Sequence, residues 1–306
     1  MKKLQYHNNS NVHSFLSIIL GISLIFSLVT VAFINSHKDM NQAFGHSFTS
    51  DDSVTFLSIA KKAFIELELA KKNFPSNITL AMDHSDNAAM LVNDVYYVDD
   101  EIVDDQDFIN RYDKEIASEN GTIHSLVLAD LIDQALRAYN SAIRLNIDLT
   151  NMSNLIVLDN FEKYINSNNL LNKSSHNFEK FQKLISNNNT ITDPADYETA
   201  LMLAKEIKDL YKNKLENLVI NGSSNSSSTS NTINSSLVSK LEKDLDNLNS
   251  ILLNKGSGKD LLKLVHLNIH PSLQQLFNLE TKMNMNMNMN MNTNMNMKNN
   301  TMKMDG

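Results

Sequence analysis

The chain lacks cysteine and tryptophan, and among its 306 residues only 7 are glycine and 3 are proline. Without cysteine, it can hold no disulfide, no thiolate metal site and no cysteine nucleophile. So few glycines and prolines leave few of the turns that an all-β or loop-rich fold requires. The 35 acidic residues outnumber the 27 Lys and Arg, and a formal net charge of -8 argues against nucleic-acid binding.

One long apolar run is present near the N-terminus. Residues 14–34 are 21 residues without a charge, SFLSIILGISLIFSLVTVAFI. At about 1.5 Å per residue, a helix of that length crosses a hydrocarbon core of about 30 Å. Lys2 and Lys3 predict that residues 1–13 stay in the cytoplasm and that the rest is exported. The sequence therefore predicts a single-pass membrane anchor, with secretion after cleavage near Thr30–Ala32 as the alternative.

Helical periodicity dominates residues 48–220. Apolar residues recur three and four apart, which predicts an antiparallel bundle with four main helices. The first helix is predicted to end before Pro75, because proline disfavours helix in the residue ahead of it. Asn120-Gly121 is interpreted as a helix stop, with Thr122 capping the next helix. Asp193-Pro194 predicts a helix start, with Asp as the cap and Pro in the first turn.

Two further segments follow the predicted bundle. Residues 221–236, NGSSNSSSTSNTINSS, have the composition of a flexible linker. Residues 237–280 are predicted to form a helical hairpin or coiled-coil segment with a break at Lys255–Gly258. The last helix is predicted to run to His270-Pro271, where it either ends or continues for another turn or two. A leucine seam is expected either to bind an envelope partner or to fold back onto the bundle; it consists of Val238, Leu241, Leu245, Leu248 and Leu252.

Residues 281–306 form a low-complexity tail that alternates Met and Asn. The tail has no periodic apolar face and is predicted to be disordered. Thioether sulfur is a soft ligand that suits Cu(I), so the tail is a candidate copper site. The candidate ligands are Met283, Met285, Met287, Met289, Met291, Met295 and Met297. The alternative is an inert expanded repeat.

His266 and His270 are candidate additional ligands, because a spacing of four places two imidazoles on one helical face. Two histidines that simply cap and pack a helix end are the alternative. Asp83, His84 and Asp86 could share a metal ion or a proton, but the sequence context of His84 favours a solvated face or a kink in the apolar stripe. His124 is equally uninformative, and an enzyme or cofactor carrier that uses His84 or His124 in the bundle core is a third, less favoured hypothesis. No motif of acid–base or nucleophilic catalysis is present, which favours a non-enzyme.

Acidic residues are concentrated between Asp83 and Glu119. Residues 99–107, DDEIVDDQD, hold six acids in nine positions but lack the glycine and glutamate of a calcium loop. A solvated acidic loop is therefore favoured there. The whole acidic segment is a candidate surface for a cation or for a partner.

The layout resembles uncharacterised single-pass extracytoplasmic helical proteins of ammonia-oxidising archaea. The resemblance is carried by the N-terminal anchor, AMDHSDNA at 81–88, VHLNIHPSLQQLFNLE at 265–280 and the abundance of Asn. It carries over no functional residue. Because those organisms depend on copper enzymes, it favours copper by association.

Together these features predict a non-enzymatic, membrane-anchored protein whose bulk lies outside the cytoplasm and whose tail binds copper. A structural or interaction module of the cell envelope with an inert tail is the alternative. Neither hypothesis involves nucleic acid.

Overall fold

The computed structural model describes residues 52–98, 102, 104–118, 120–145, 147–155, 158, 184–186, 189–216, 218 and 228–279. These residues form helices, turns and irregular segments, with no β-strand among them. The predicted all-α fold is therefore confirmed for this part of the chain. The described residues all belong to one compact unit.

The main helices of the described residues pack their apolar sides into one core. The most extensive pairings join the first helix to the second and the fourth to the fifth. In chain order they are α1 Asp52–Asn73, α2 Ile78–Val98, α3 Asp105–Ala117, α4 Gly121–Ala142, α5 Pro194–Leu210, α6 Ser228–Leu253, α7 Gly258–Leu264 and α8 His270–Phe277. π-Helical turns extend α5 through Tyr211–Leu215 and α7 through Val265–Ile269.

Helices α1 and α2 form a hairpin with a connection of residues 74–77. The first helix ends at Asn73, two residues before Pro75, as the sequence predicts. The backbone N–H of Asn77 donates to the carbonyl of Asn73 at 2.8 Å, and Asn77 Oδ1 accepts from the N–H of Leu80. The turn therefore satisfies backbone groups at both helix ends, which leaves α2 packed along α1.

The start of α4 differs from the prediction. Its cap is Asn120 rather than Thr122, and Asn120 Oδ1 accepts from the N–H groups of Thr122 and Ile123. Helix α3 has already ended at Ala117, so Asn120-Gly121 starts a helix instead of stopping one. The prediction was wrong because asparagine serves helix starts as well as ends, and the preceding turn decided its role.

Helix α5 begins as the sequence predicts. Asp193 accepts a hydrogen bond from the N–H of Asp196, and Pro194 occupies the first turn. At its other end the helix continues through the π-helical turn, where Tyr211 and Leu215 are both buried. The amphipathic stripe of this segment therefore faces the core from Ala204 through Leu215.

Helix α6 begins at Ser228, inside the predicted linker 221–236. Residues 228–236 are thus helical, while residues 221–227 lie outside the described residues. Once a helix is stabilised by packing, each added residue gains one backbone bond, so a segment of polar sequence can extend it. Its leucine seam is buried in the protein's own core, which matches the expected fold-back onto the bundle.

The break predicted at Lys255–Gly258 separates α6 from α7, and the helix continues past His270-Pro271. The helical path continues from α7 through Val265–Ile269 into α8. The N–H of His270 donates to the carbonyl of Val265, five residues back, instead of the usual four. Proline cannot donate, and its ring clashes with the carbonyl four residues earlier, so a widened turn before it lets the helix continue.

The turn between α6 and α7 is tied to the first part of the bundle by side-chain hydrogen bonds. Tyr139 Oη donates to the carbonyl of Gly256 at 2.6 Å, and Asn189 Nδ2 donates to the same carbonyl at 2.9 Å. A Cβ at Gly258 would lie 2.6 Å from Leu145 Cδ2. Glycine therefore permits the close approach with which α7 begins.

None of the helices described is long and apolar enough to cross a membrane. The predicted anchor 14–34 lies outside the described residues, as do the N-terminal segment 1–13 and the tail 281–306. These three assignments therefore stay predictions.

Candidate functional site

Helix α2 presents two chemically different faces. Its inner face packs on α1 and α5 and holds His84, whose side chain is 0% exposed. The prediction that His84 lies on a solvated face is wrong. Asp83 and Asp86, its predicted companions, are exposed and lie on the other side of the helix. A shared site for these three residues is therefore not formed.

The imidazole of His84 lies between two carboxylates from different helices. Its Nδ1 is 2.7 Å from Glu66 Oε2 on α1, and its Nε2 is 3.4 Å from Glu198 Oε2 on α5. Thr199 Oγ1 donates to the other oxygen of Glu66 at 2.8 Å, and Asn73 Nδ2 donates to Glu198 Oε2 at 2.5 Å. The cluster, named the Glu66–His84–Glu198 cluster below, joins α1, α2 and α5.

The cluster favours the protonated imidazole. Burial lowers the pKa of His84, but the hydrogen bond and negative charge of Glu66, together with Glu198, outweigh it and raise the pKa overall. Lys72 Nζ lies 3.6 Å from Glu198 Oε1. One imidazolium and one ammonium therefore balance two carboxylates, which is the condition for tolerating charges away from water.

The geometry of the cluster suits two roles, which are to keep a proton on the imidazole and to join helices through ion pairs. The imidazole has a carboxylate within 3.4 Å of each nitrogen, and Glu66 is only 1% exposed. Among the described residues, no group of three or more His, Asp or Glu side chains is placed to hold a metal ion. We therefore interpret the Glu66–His84–Glu198 cluster as a buried ionic clasp that positions α2.

The outer face of α2 is its second distinctive feature. We use this name for the exposed positions Ile78, Thr79, Met82, Asp83, Asp86, Ala89, Met90 and Asn93. Ile78 is 63% exposed, and Met82 and Met90 are each 58% exposed. Phe74, at the turn that leads into α2, is 65% exposed. Half of the eight large exposed apolar side chains in the described ranges thus lie between 74 and 90.

The candidate copper ligands His266 and His270 are buried. Their ring centroids are 5.5 Å apart, so the spacing does bring the rings together. His266 Nε2 is hydrogen-bonded to the carbonyl of Leu149 at 3.0 Å, and His270 Nε2 lies 3.9 Å from Asp133 Oδ1. Both histidines therefore make contacts within the fold, although neither caps a helix end as the alternative supposed, because the helix continues past them.

Two other buried groups are perturbed by their surroundings. Burial lowers the pKa of His124, whose Nε2 lies 2.6 Å from the carbonyl of Ser118. Burial raises the pKa of Asp133 well above its ordinary range, despite the opposing charge of Arg137. Both residues lie on α4. Neither takes part in the hydrogen bonds and ion pairs of the Glu66–His84–Glu198 cluster.

The tail methionines Met283, Met285, Met287, Met289, Met291, Met295 and Met297 lie outside the described residues. Copper binding through them stays a prediction that depends on the sequence.

The sequence around His84 contains a signal for its burial. His84 falls three residues after Ala81 and four before Ala88, both of which are buried. A histidine in line with a buried stripe points inward, because these spacings share one helical face. Nothing in the sequence identified Glu66 or Glu198 as its partners, since they lie on other helices.

No protein-family model, no curated protein and no solved structure matches the chain.

Proposed function

We propose that this protein is a non-enzymatic interaction module of the cell envelope. In this proposal residues 14–34 anchor it in the membrane, and an antiparallel helical bundle lies outside the cytoplasm. The outer face of α2 is the surface that contacts a partner protein. The observation that supports this most is the exposure of Ile78, Met82 and Met90 on one side of one helix.

Clustering makes this surface different from ordinary exposed apolar residues. Single apolar side chains on a surface are common, whereas contiguous ones mark contact sites. Ile78, Met82, Asp86 and Met90 follow at intervals of four, so they lie along one broad side of the helix, with Asp86 between the two methionines. Methionine is flexible and polarizable, which suits a contact surface that adapts to its partner.

The sequence predicts a partner at residues 237–280, whereas this proposal places the partner's contact surface on α2. The leucine seam of that segment is buried in the core, and its exposed large apolar side chains are Leu253 and Leu267. The outer face of α2 has three such side chains on one helix, Ile78, Met82 and Met90.

A site-specific photo-crosslinker tests the proposed contact. We expect that benzoylphenylalanine in place of Met82, in full-length protein expressed in its native membrane, forms a discrete covalent adduct. Met152 is the matched control, because it is a methionine with a similar 61% exposure. Equal adducts at both positions, or none at Met82, would contradict a contact site on α2.

Copper capture by the tail is the second candidate function, supported by nine of the chain's fifteen methionines in residues 281–306. We expect the full-length protein to bind Cu(I) in competition with a chelator, because thioethers suit this soft ion. Met→Leu changes at the seven candidate positions should abolish Cu(I) binding. The double variant His266→Ala, His270→Ala measures how much the two imidazoles contribute to it. Undiminished binding in the Met→Leu protein would remove the tail as the site.

A further inference from the structure

The outer face of α2 combines exposed apolar side chains with carboxylates. We propose that it binds a basic amphipathic helix of another protein. The apolar stripe of that helix covers Ile78, Met82 and Met90, and its Lys or Arg residues face Asp83 and Asp86. This inference names the partner of the surface described under Proposed function and therefore rests on that function.

The length and spacing of the surface fit a helix. Ile78 and Met90 are twelve residues apart, which is about 18 Å along the axis, or three to four turns. Met82 lies between them on the same side of α2. Helical ligands place their anchors at such intervals on one apolar face when they dock on a partner.

The charge of α2 selects a basic partner. Its sequence, ITLAMDHSDNAAMLVNDVYYV, contains three Asp and no Lys or Arg. Asp83 and Asp86 are exposed, and the acidic run at 99–107 continues directly after the helix. Within the chain, Lys62 acts electrostatically on the third aspartate, Asp94. Complementary charge on a partner therefore lies opposite Asp83 and Asp86.

Two other occupants fit less well. A second copy of this chain, related by two-fold symmetry, would place the same patch against itself and bring Asp83 and Asp86 near their own equivalents. An anionic lipid surface would meet these carboxylates with like charge. A basic helix avoids both conflicts while covering the same apolar side chains.

The contacts on the inner face of α2 hold its outer face rigid. His84 is held between Glu66 and Glu198, so α2 is fixed to both α1 and α5. A rigid surface loses less conformational freedom on association than a mobile one. The buried ionic clasp therefore supports binding on the opposite side of the same helix.

The test uses the full-length protein in nanodiscs of neutral lipid, with a single fluorophore. Because the chain has no cysteine, Asn93→Cys gives one labelling position at the end of the outer face without altering the apolar stripe. The probes are two synthetic 18-residue helices with the same leucine stripe, one with lysine and one with glutamate at the polar positions. We expect saturable binding of the lysine peptide and none of the glutamate peptide.

Matched variants separate the docking surface from general attraction to an acidic protein. Ile78→Ser with Met82→Ser should weaken binding of the lysine peptide at least about tenfold, because these are proposed anchors. Met152→Ser should leave the affinity unchanged. Asp83→Asn with Asp86→Asn should weaken it about three- to fivefold, as expected for exposed charges. Asp209→Asn with Asp260→Asn removes the same charge from exposed positions on α5 and α7 and should have less effect.

Several outcomes would overturn the inference. One is that the Ile78→Ser, Met82→Ser protein binds the lysine peptide as tightly as the wild type does, and another is that the wild type prefers the glutamate peptide. Self-association in sedimentation that depends on Met82 would point to a second copy of the chain. A fluorescence change in nanodiscs of anionic lipid without any peptide would point to the lipid surface. A Met82 crosslink in membranes combined with no binding of the lysine peptide would retain the proposed contact site but remove the basic helix as its partner. Loss of both results would remove the proposed function itself.

Discussion

Replacing Glu66 with alanine is expected to lower the free energy of unfolding by about 3–5 kcal/mol, as for other broken buried ion pairs. Glu66 is 1% exposed and accepts hydrogen bonds from both His84 and Thr199. The substitution leaves a buried imidazolium with one carboxylate instead of two and leaves the Thr199 hydroxyl without its acceptor. Urea unfolding of the full-length protein in mild detergent measures the loss.

Two controls show whether the loss comes from the buried pair. Glu68→Ala changes an exposed glutamate on the same helix and should shift stability by less than about 0.5 kcal/mol. The double change Glu66→Leu with His84→Leu should be far milder than Glu66→Ala, because removing both charges leaves no unpaired ion. A Glu66→Ala protein as stable as the Glu68→Ala protein would show that the cluster contributes little.

The same cluster predicts a dependence on pH. Glu66 and Glu198 raise the pKa of His84 above its unfolded value, although burial opposes them. The stabilisation from the protonated ring is therefore complete below the unfolded pKa and is lost as pH rises through the folded pKa. Asp196 on α5 also interacts with this cluster, because burial and, among smaller causes, the negative charge of Glu66 raise the pKa of Asp196. The stability difference between wild type and His84→Gln should thus shrink at alkaline pH, and a constant difference would contradict a protonated His84.

His124 and His266 contribute with the opposite sign. Burial lowers the pKa of each, so the folded state favours their neutral rings. Their contribution is present above the unfolded pKa and is lost as pH falls. Comparison with His84→Gln, rather than the wild-type profile alone, isolates the cluster from these two residues.

The second large effect concerns the leucine seam of α6. We expect Leu248→Ala to lower the free energy of unfolding by about 2–5 kcal/mol, the range for buried leucine truncations. Leu248 is 0% exposed and belongs to the core that α6 shares with the rest of the bundle. Urea unfolding followed by circular dichroism measures this loss.

Leu253 supplies a matched control on the same helix. It is 54% exposed, so Leu253→Ala removes the same atoms without opening a cavity. Its effect should stay below about 0.5 kcal/mol. Equal effects of the two substitutions would show that α6 does not depend on burial of its seam.

Helix positions were predictable from the sequence because their signals are local. Pro75 marked the end of α1, and Asp193-Pro194 marked the start of α5. Each depends on backbone geometry and hydrogen bonding within a few residues. Where a local signal has two meanings, as at Asn120-Gly121, the prediction failed because the neighbouring turn chose between them.

The candidate site was only partly predictable. His84 lay in line with buried alanines, but its partners come from helices 18 and 114 residues away in sequence. No periodic pattern connects such positions, because helix packing brings them together. The exposed character of Ile78, Met82 and Met90 was equally hidden, since an apolar residue on a helix is expected to be buried until its surroundings are known.

Composition and spacing alone determined that this chain builds apolar-striped α-helices, without disulfides or thiolate chemistry, and predicted its membrane anchor and Met-rich tail. Tertiary structure decided which stripe each helix buries, that the α6 seam closes on its own bundle, and that one side of α2 stays uncovered. It also decided that His84 meets Glu66 and Glu198. Hydrogen bonding within a helix is local, whereas burial and charge pairing depend on which distant segments become neighbours.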